Sequence, residues 1–272
     1  LGQEIELLYV KGSGWDLAGI EVAGFAGVRM DHCLKLLELP ELSDSIMVNE
    51  LKTHCTLASA PTPSVETLLH ACLPFKYVDH THADAVVTIT NLADGEARCR
   101  DAFGDRVLVV PYVMPGYDLA KYCADLWSRE GHDALLGLVL LQHGIFSFGD
   151  DARQSYDRMI ELVALAEDYL RDQGVWDLSE ASKEKKSSVP IQDVANLRKA
   201  ISITAGFPML LRCNRSEGAS AFTCNKAFCE AYQRGTATPD HVIRTKNMPL
   251  LGRDVTAYSD AYGAYFQRNA DQ

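Results

Sequence analysis

The sequence predicts a layered α/β domain, in which helices cover a β-sheet, followed by a smaller appended unit. Short apolar runs that are typical of buried strands alternate with longer amphipathic segments that are typical of helices. The composition, 47% hydrophobic and 23% charged among 272 residues, is that of a soluble globular protein with enough apolar side chains to bury a core. A polar, lysine-rich stretch separates the last third of the chain from the rest.

The elements of the main domain follow from periodicity, capping residues and breaks. Strands are expected where β-branched and aliphatic residues cluster, at Ile5–Val10, Tyr77–His82, Arg106–Val110, Leu135–Gln142 and Ile145–Phe148. Helices are expected where capping residues precede an amphipathic run, at Asp31–Leu39, Ile46–Thr56, Val65–Leu73, Ala83–Ile89, Glu96–Phe103, Asp118–Arg129 and Asp151–Asp172. The mixture of strands and helices favours an α/β arrangement.

The same reasoning divides the chain into three parts. We expect a main domain over residues 1–175, a linker over 176–189 and a small C-terminal α/β extension over 190–272. In the extension the pattern predicts a strand at Met209–Arg212 and helices at Ile191–Ile203, Glu217–Arg234 and Val255–Arg268.

The charge balance restricts the possible partners. The chain has 26 basic and 37 acidic residues and a net charge of −11, which disfavours nucleic acids and anionic membranes. No apolar run approaches the roughly 20 residues that cross a bilayer, and no basic-then-apolar leader opens the sequence. We therefore expect a cytoplasmic protein with a small-molecule partner.

A His-x-His pair is the most informative motif. Side chains two apart on a strand point to the same face, so His80 and His82 can each present a nitrogen to one cation. The alternative is a pair of polar histidines at a strand end that bind backbone groups. The pattern makes both residues candidate metal ligands.

Two further residues suit the same site. His143 follows the apolar run Leu135–Gln142, so its imidazole is expected at a strand terminus, unless it is only a turn histidine. Three neutral imidazoles leave positions open for water or substrate, as in a catalytic site. Glu66 is expected in the first helical turn after the N-cap Ser64, where a carboxylate also stabilises the helix dipole.

A glycine-rich loop follows the first strand. Glycines in this place let backbone N–H groups approach a ligand, and Lys11, Ser13 and Gly14 could contribute to a phosphate-binding loop. The alternative is a plain strand-to-helix turn. The spacing of Gly12, Gly14 and Gly19 does not fit the dinucleotide-binding pattern.

The motifs together resemble the class II aldolase/adducin family. They occur in the family's order over about Ile5 to Leu170, as Ser64–Glu66, His80–His82 and Gln142–Gly144, ahead of a long helix. The amino-acid sequence is similar to the aldolase half of bifunctional rhamnulose-1-phosphate aldolase/alcohol dehydrogenases at Val10–Leu17, Pro63–Ala71, Val78–Ala85 and Thr238–Lys246. The resemblance implies an α/β/α domain around a mainly antiparallel sheet, assembled as a homo-oligomer such as a tetramer.

The resemblance also implies an activity and a ligand set. Zn²⁺, or another divalent cation, would be held by His80, His82 and His143, with Glu66 as the acid/base. The reaction would be aldol cleavage of a ketose 1-phosphate such as rhamnulose 1-phosphate, giving dihydroxyacetone phosphate and an aldehyde through a metal-stabilised enediolate.

The implied phosphate site matches the family only in part. Ser13, Gly14 and Ser64 match, but the family's Gly-Asn-x-Ser segment is absent upstream of Leu8, and Val65 stands where several members have a second serine. The chain also lacks the dehydrogenase half of the fused relatives. We therefore expect no nicotinamide chemistry and a less complete phosphate site.

Several polar residues outside these motifs are candidate accessory groups. Tyr112 and Tyr117 are candidate donors to the site or to a neighbouring subunit. His241, Arg244 and Lys246 form a polar cluster that could supply charge to an anionic substrate, or could be a solvated loop or strand.

Two other functions stay open beside the aldolase. The same metal site could support epimerisation, dehydration or decarboxylation of a related hydroxy compound, because each reaction needs an enolate-like species to be stabilised. The chain could also be a non-catalytic, adducin-like module that keeps the fold. The presence of all three histidines and Glu66 favours an enzyme.

Overall fold

The computed structural model describes residues 2, 4–175, 189–225 and 228–270. The chain divides into two compact units, Leu1–Leu170 and Arg171–Gln272. Residues 176–188, most of the expected linker, lie outside the described residues.

The first unit opens with a two-stranded antiparallel ladder. Strand β1, Leu7–Lys11, pairs with β2, Phe25–Arg29. Two short 3-10 helices, Leu17–Gly19 and Val22–Gly24, lie between the two strands. The expected strand Ile5–Val10 is therefore present with slightly shifted ends. The second strand was not predicted, because its centre, Ala26–Gly27, has low strand propensity and is ordered by pairing with β1.

A four-stranded sheet forms the centre of this unit. Its strands are β3 (Tyr77–Thr81), β4 (Val107–Val110), β5 (Gly137–Leu140) and β6 (Gly144–Gly149), in the order β3-β6-β5-β4. The β3–β6 and β5–β6 pairs are antiparallel and the β4–β5 pair is parallel. The expected mainly antiparallel sheet is confirmed.

Among the described residues of the first unit, seven α-helices accompany the sheet. They are α1 (Met30–Leu37), α2 (Asp44–Thr53), α3 (Thr67–Cys72), α4 (Asp84–Thr90), α5 (Gly95–Phe103), α6 (Tyr117–Glu130) and α7 (Ala152–Asp172). Each overlaps a predicted helix, and no end differs by more than three residues from that expected. Such differences are ordinary at helix ends, which fray.

The alternation of side chains along the strands separates two hydrophobic cores. Leu138, Leu140 and Phe146 belong to a core with α1, α2, α3 and α6, whereas Val139 and Ile145 belong to a core with α4, α5 and α7. Because neighbouring strand residues point to opposite faces, one sheet serves both cores. The predicted α/β/α layering is confirmed.

The described part of the second unit is helical. Its helices are α8 (Ile191–Ala205), α9 (Glu217–Cys224), α10 (Phe228–Ala231), α11 (Pro239–Arg244) and α12 (Val255–Asn269). The strand predicted over Met209–Arg212 is wrong: these residues have no regular structure, and Leu210 is 89% exposed. A short apolar run forms a strand only where a neighbour offers hydrogen bonds and cover. The predicted helix Glu217–Arg234 corresponds to the shorter helices α9 and α10.

Among the described residues, no helix is both long enough and apolar enough to cross a lipid bilayer.

Candidate metal centre

Strand β3 brings the first two histidines to one face of the sheet. His80 lies opposite Phe146 in the β3–β6 register, and the two rings stack with centroids 4.1 Å apart and planes 18° apart. His82 comes directly after the strand, two residues further on. Their imidazoles meet, with 3.0 Å between His80 Nε2 and His82 Nε2. This is the same-face geometry that the His-x-His spacing predicts.

The third histidine lies in the turn between β5 and β6. His143 is 2% exposed, and its backbone N–H donates to the carbonyl of Leu140 over 3.2 Å. The preceding residue, Gln142, has φ 58°, a left-handed conformation that is uncommon for residues with a Cβ atom. The tight turn directs His143 toward β3, and its ring centroid lies 5.1 Å from those of both His80 and His82.

The carboxylate comes from the start of α3. The expected helix Val65–Leu73 begins two residues later than predicted, at Thr67, so Glu66 is the N-cap residue. Ser64 was expected to cap this helix, but its hydroxyl donates to Glu66 Oε2 over 2.7 Å, while the backbone N–H of Glu66 donates back to Ser64 Oγ over 3.3 Å. Ser64 therefore fixes the orientation of the carboxylate.

The four side chains converge on one small volume. Glu66 Oε1 lies 3.2 Å from His143 Nε2 and 3.7 Å from His80 Nε2. One ligand atom from each of Glu66, His80, His82 and His143 lies within 4.8 Å of the others. The sequence-predicted metal ligands and acid/base are thus neighbours in the structure.

The spacing of the first two histidines and the tautomer of His80 suit a cation. Ligand atoms of a tetrahedral zinc site lie about 3.3 Å apart, given bonds of about 2.0–2.1 Å, and the 3.0 Å between His80 Nε2 and His82 Nε2 is close to this value. His80 Nδ1 bonds to the carbonyl of Ile145 over 3.0 Å, so this nitrogen carries the proton and Nε2 presents its lone pair to the cluster. His143 Nδ1 is the one buried side-chain nitrogen or oxygen of the described residues without a hydrogen-bond partner.

Burial and neighbouring groups set the protonation of the site. Burial, the largest influence, lowers the pKa of His80 to about 3, so this imidazole is neutral at physiological pH and can act as a ligand. Burial also has the largest influence on Glu66 and raises its pKa. The hydrogen bond from His143, the nearby imidazole of His80 and the hydrogen bond from Ser64 outweigh burial, and the pKa of Glu66 lies well below its ordinary value. The carboxylate is therefore ionised at physiological pH.

The glycine-rich loop lies beside the segment that leads to Glu66. The backbone N–H of Ser13 donates to Thr62 O over 2.8 Å, and that of Ser64 donates to Lys11 O over 3.1 Å. Gly14 has φ +82°, a conformation suited to glycine. The Lys11 ammonium donates to backbone carbonyls of the same loop, including Trp15 O at 3.0 Å. The structure brings the loop and Ser64 together.

The tyrosines suggested as accessory donors lie in different surroundings. Tyr112 is 50% exposed, and its hydroxyl faces Met114 Sδ at 3.7 Å. Tyr117 is 1% exposed, and its hydroxyl donates to the carbonyls of Leu36 and Leu39 at the end of α1. The Tyr117 hydroxyl therefore binds backbone carbonyls of the core, and not the metal centre or a neighbouring subunit.

The polar residues of the second unit belong to the short helix α11. His241 Nδ1 lies 2.6 Å from the hydroxyl of Thr238, the N-cap residue, and Arg244 Nε lies 3.9 Å from Asp240. The Lys246 ammonium lies 3.8 Å from the centre of the Tyr262 ring. The segment is thus a capped helix followed by a turn, rather than the solvated loop or strand that the sequence suggested.

Two residues that support the site were missed in the sequence. Phe146 packs flat on His80 and edge-on against His70, with centroids 5.3 Å apart in the second contact. Gly144 lies directly under the histidine pair, where a Cβ atom would be 2.5 Å from the Thr81 carbonyl oxygen and 2.9 Å from His82 Cδ2. The glycine of the Gln142–Gly144 motif is visible in the sequence, but its contacts are not, because Thr81 and His82 lie far from it along the chain.

Substitution of Gly144 by alanine is expected to weaken divalent-cation binding about 10- to 100-fold, the range found when groups that orient ligands are changed. The added methyl group would push His82 and His80 out of position. Isothermal titration with Zn²⁺, with circular dichroism as a check of folding, would measure the effect. Gly19→Ala is the matched control, because an added Cβ there meets no atom within 4 Å. Equal affinities for the wild type and Gly144→Ala would contradict this role.

Two parts of the chain match known protein families. Residues 3–170 match the family described as Class II Aldolase and Adducin N-terminal domain, and residues 189–272 match the family described as Aldolase class II, second domain. The chain is 31% identical over 293 aligned positions to the uncharacterized oxidoreductase YuxG of Bacillus subtilis (strain 168). That alignment covers 98% of this chain and 42% of the relative, so the chain spans less than half of that protein.

A solved structure is also similar. It is the N-terminal class II aldolase domain of a conserved protein from Thermoplasma acidophilum, with 40% sequence identity and a TM-score of 0.57. The alignment covers 61% of this chain and 76% of that one.

Proposed function

Because the chain belongs to the class II aldolase and adducin family, we propose that it is a zinc-dependent lyase that cleaves a carbon–carbon bond of a ketose 1-phosphate. The observation that carries the proposal is the convergence of His80, His82 and His143 beside the carboxylate of Glu66. A fold kept only for binding would not need three imidazoles and a carboxylate with ligand atoms within 4.8 Å.

The chemistry assigned to the site needs a Lewis acid and a proton carrier. A divalent cation held by the three imidazoles would stabilise the negative charge that develops on oxygen when the carbon–carbon bond breaks. Glu66 moves the proton at the reacting carbon, since its carboxylate is ionised and is oriented by the Ser64 hydroxyl at 2.7 Å. The low exposure of the His143 and His80 side chains, 2% and 9%, limits the access of water.

The substrate phosphate is assigned to the loop beside Ser64. Ser13 and Gly14 are exposed, and backbone hydrogen bonds hold the loop against the segment Thr62–Ser64. The Gly14 N–H, the Ser13 hydroxyl and the Lys11 ammonium are suitable partners for a phosphate dianion. A substrate similar to rhamnulose 1-phosphate would give dihydroxyacetone phosphate and an aldehyde.

We assign the activity to residues 1–175, with residues 176–189 as a linker and 190–272 as a C-terminal extension. Association into a homo-oligomer belongs to the same proposal, and light scattering of the purified protein would test it.

A second candidate reaction uses the same residues. Epimerisation, dehydration or decarboxylation of a related hydroxy compound also passes through an enolate-like species, so neither the ligands nor Glu66 distinguish it from aldol cleavage. A non-catalytic, adducin-like module is the third candidate, and the preserved donor set argues against it.

The decisive experiment is incubation of the zinc-loaded protein with a panel of ketose 1-phosphates. We expect at least one member to release dihydroxyacetone phosphate, measured with a coupled enzyme assay. Glu66→Gln protein is the matched control for contaminating aldolases. If no member gives this product and the carbon chain stays intact while its stereochemistry changes, the epimerase alternative replaces the aldolase. If the protein neither binds a divalent ion nor alters any substrate, the module is favoured.

A further inference from the structure

A second group of potential metal ligands lies between α1 and α2. His32 belongs to α1, Glu50 lies in α2, and His54 is the residue after the end of α2. His32 Nε2 lies 2.9 Å from Glu50 Oε2, and His54 Nδ1 lies 3.7 Å from the same oxygen. One ligand atom from each of the three residues lies within 4.8 Å of the others.

The local backbone holds these side chains in register. Glu50 and His54 are four residues apart and therefore share one face at the end of the helix. The His54 carbonyl accepts a hydrogen bond from the Arg29 N–H, and Cys55 forms an isolated bridge with Val28. The end of α2 is thus tied to the strand that leads into α1, and the two imidazoles stack with centroids 3.3 Å apart and planes 8° apart.

The chemistry of the group matches a borderline divalent cation. Two imidazoles and one carboxylate are a common donor set for Zn²⁺, and they leave a coordination position for water. The side chains are reachable from solvent, with exposures of 20% for His32 and 33% for both Glu50 and His54. No residue of this group belongs to the centre formed by Glu66 and its three histidines.

We propose that His32, Glu50 and His54 form a second site for Zn²⁺ or a similar divalent cation, which joins α1 to α2. Binding requires a small rotation of the stacked rings so that their nitrogens converge, and it replaces the present contacts of His32 Nε2 with Glu50 Oε2 and of His54 Nδ1 with the Glu50 carbonyl. Each imidazole stays neutral when it binds, because the proton of the coordinating nitrogen moves to the other ring nitrogen by exchange with solvent. The cation cross-links two helices and thereby stabilises the folded chain.

The test counts bound metal in full-length variants. Equilibrium dialysis against Zn²⁺ with elemental analysis should show that His54→Ala and His32→Ala each bind one equivalent less than the wild type. The zinc-dependent rise in the melting temperature should shrink in both variants. His132→Ala, which removes an exposed histidine elsewhere, should match the wild type.

The result does not depend on the proposed aldolase activity, because the readout is a difference in stoichiometry. The same comparison in a His82→Ala/His143→Ala background, whose folding is checked by circular dichroism, isolates the second site. One bound equivalent is expected there, and none after His54→Ala is added. Equal stoichiometry with and without His54 in both backgrounds would overturn the proposal and leave a hydrogen-bonded cluster only.

Discussion

Replacement of His82 by alanine is expected to remove the catalytic metal and to lower turnover by about three orders of magnitude or more. His82 Nε2 lies 3.0 Å from His80 Nε2, so its loss takes away one of three imidazole donors at the centre. Loss of a Lewis acid removes several kcal/mol of transition-state stabilisation, and each 1.36 kcal/mol is a factor of about ten in rate. Elemental analysis of the purified variant and steady-state kinetics on the substrate found in the panel would measure both effects.

The exposed His132 provides the control for this substitution. His132→Ala should keep the metal content and turnover of the wild type, which separates loss of a ligand from loss of any histidine. Circular dichroism should show that His82→Ala is folded, because His82 follows the end of β3 and belongs to neither hydrophobic core. Full turnover of His82→Ala without bound metal would refute the assigned role.

Replacement of Glu66 by glutamine is expected to lower turnover about 10²- to 10⁴-fold while the metal stays bound, which is the usual contribution of a general acid or base. Glutamine keeps the size of the side chain and an oxygen that can accept from the Ser64 hydroxyl, but it cannot take up a proton at the reacting carbon. Kinetics and metal analysis on the same preparation would give both quantities.

This substitution also separates two roles that the distances permit. Glu66 Oε1 lies 3.2 Å from His143 Nε2 and 3.7 Å from His80 Nε2, close enough for the carboxylate to be a fourth ligand. A base that does not bind the metal leaves zinc affinity within a few-fold of the wild type. A drop in affinity that matches the drop in turnover would instead assign Glu66 to the ligand set. The Ser64→Ala variant, which removes only the orienting hydroxyl, should lie between the wild type and Glu66→Gln in turnover.

The sequence was sufficient for the parts of the site that depend on local geometry. The spacing of His80 and His82 placed both rings on one face, because a strand repeats every two residues wherever it lies. The position of His143 after a buried apolar run located it shortly after β5, in the turn that leads to β6. Both inferences use neighbours along the chain, and the family resemblance supplied the link between the motifs.

Features that depend on tertiary contacts were harder to predict. Strand β2 has a weak local signal at Ala26–Gly27 and gains its order from pairing with β1. Ser64 was predicted to cap the helix, but its hydroxyl binds Glu66, since α3 begins two residues later than expected. The importance of Gly144 is visible only when β3 lies beside it. The exposed run at Met209–Arg212 shows the opposite error, a strand pattern without a partner strand.

In the proposed centre, three imidazoles that are distant in sequence hold one divalent cation beside a carboxylate. X-ray diffraction from crystals of the zinc-loaded protein, recorded above and below the zinc absorption edge, would locate that cation. We expect an anomalous peak about 2.0–2.1 Å from one nitrogen of each of His80, His82 and His143. Absence of a peak between these rings, in crystals that hold zinc elsewhere, would contradict it.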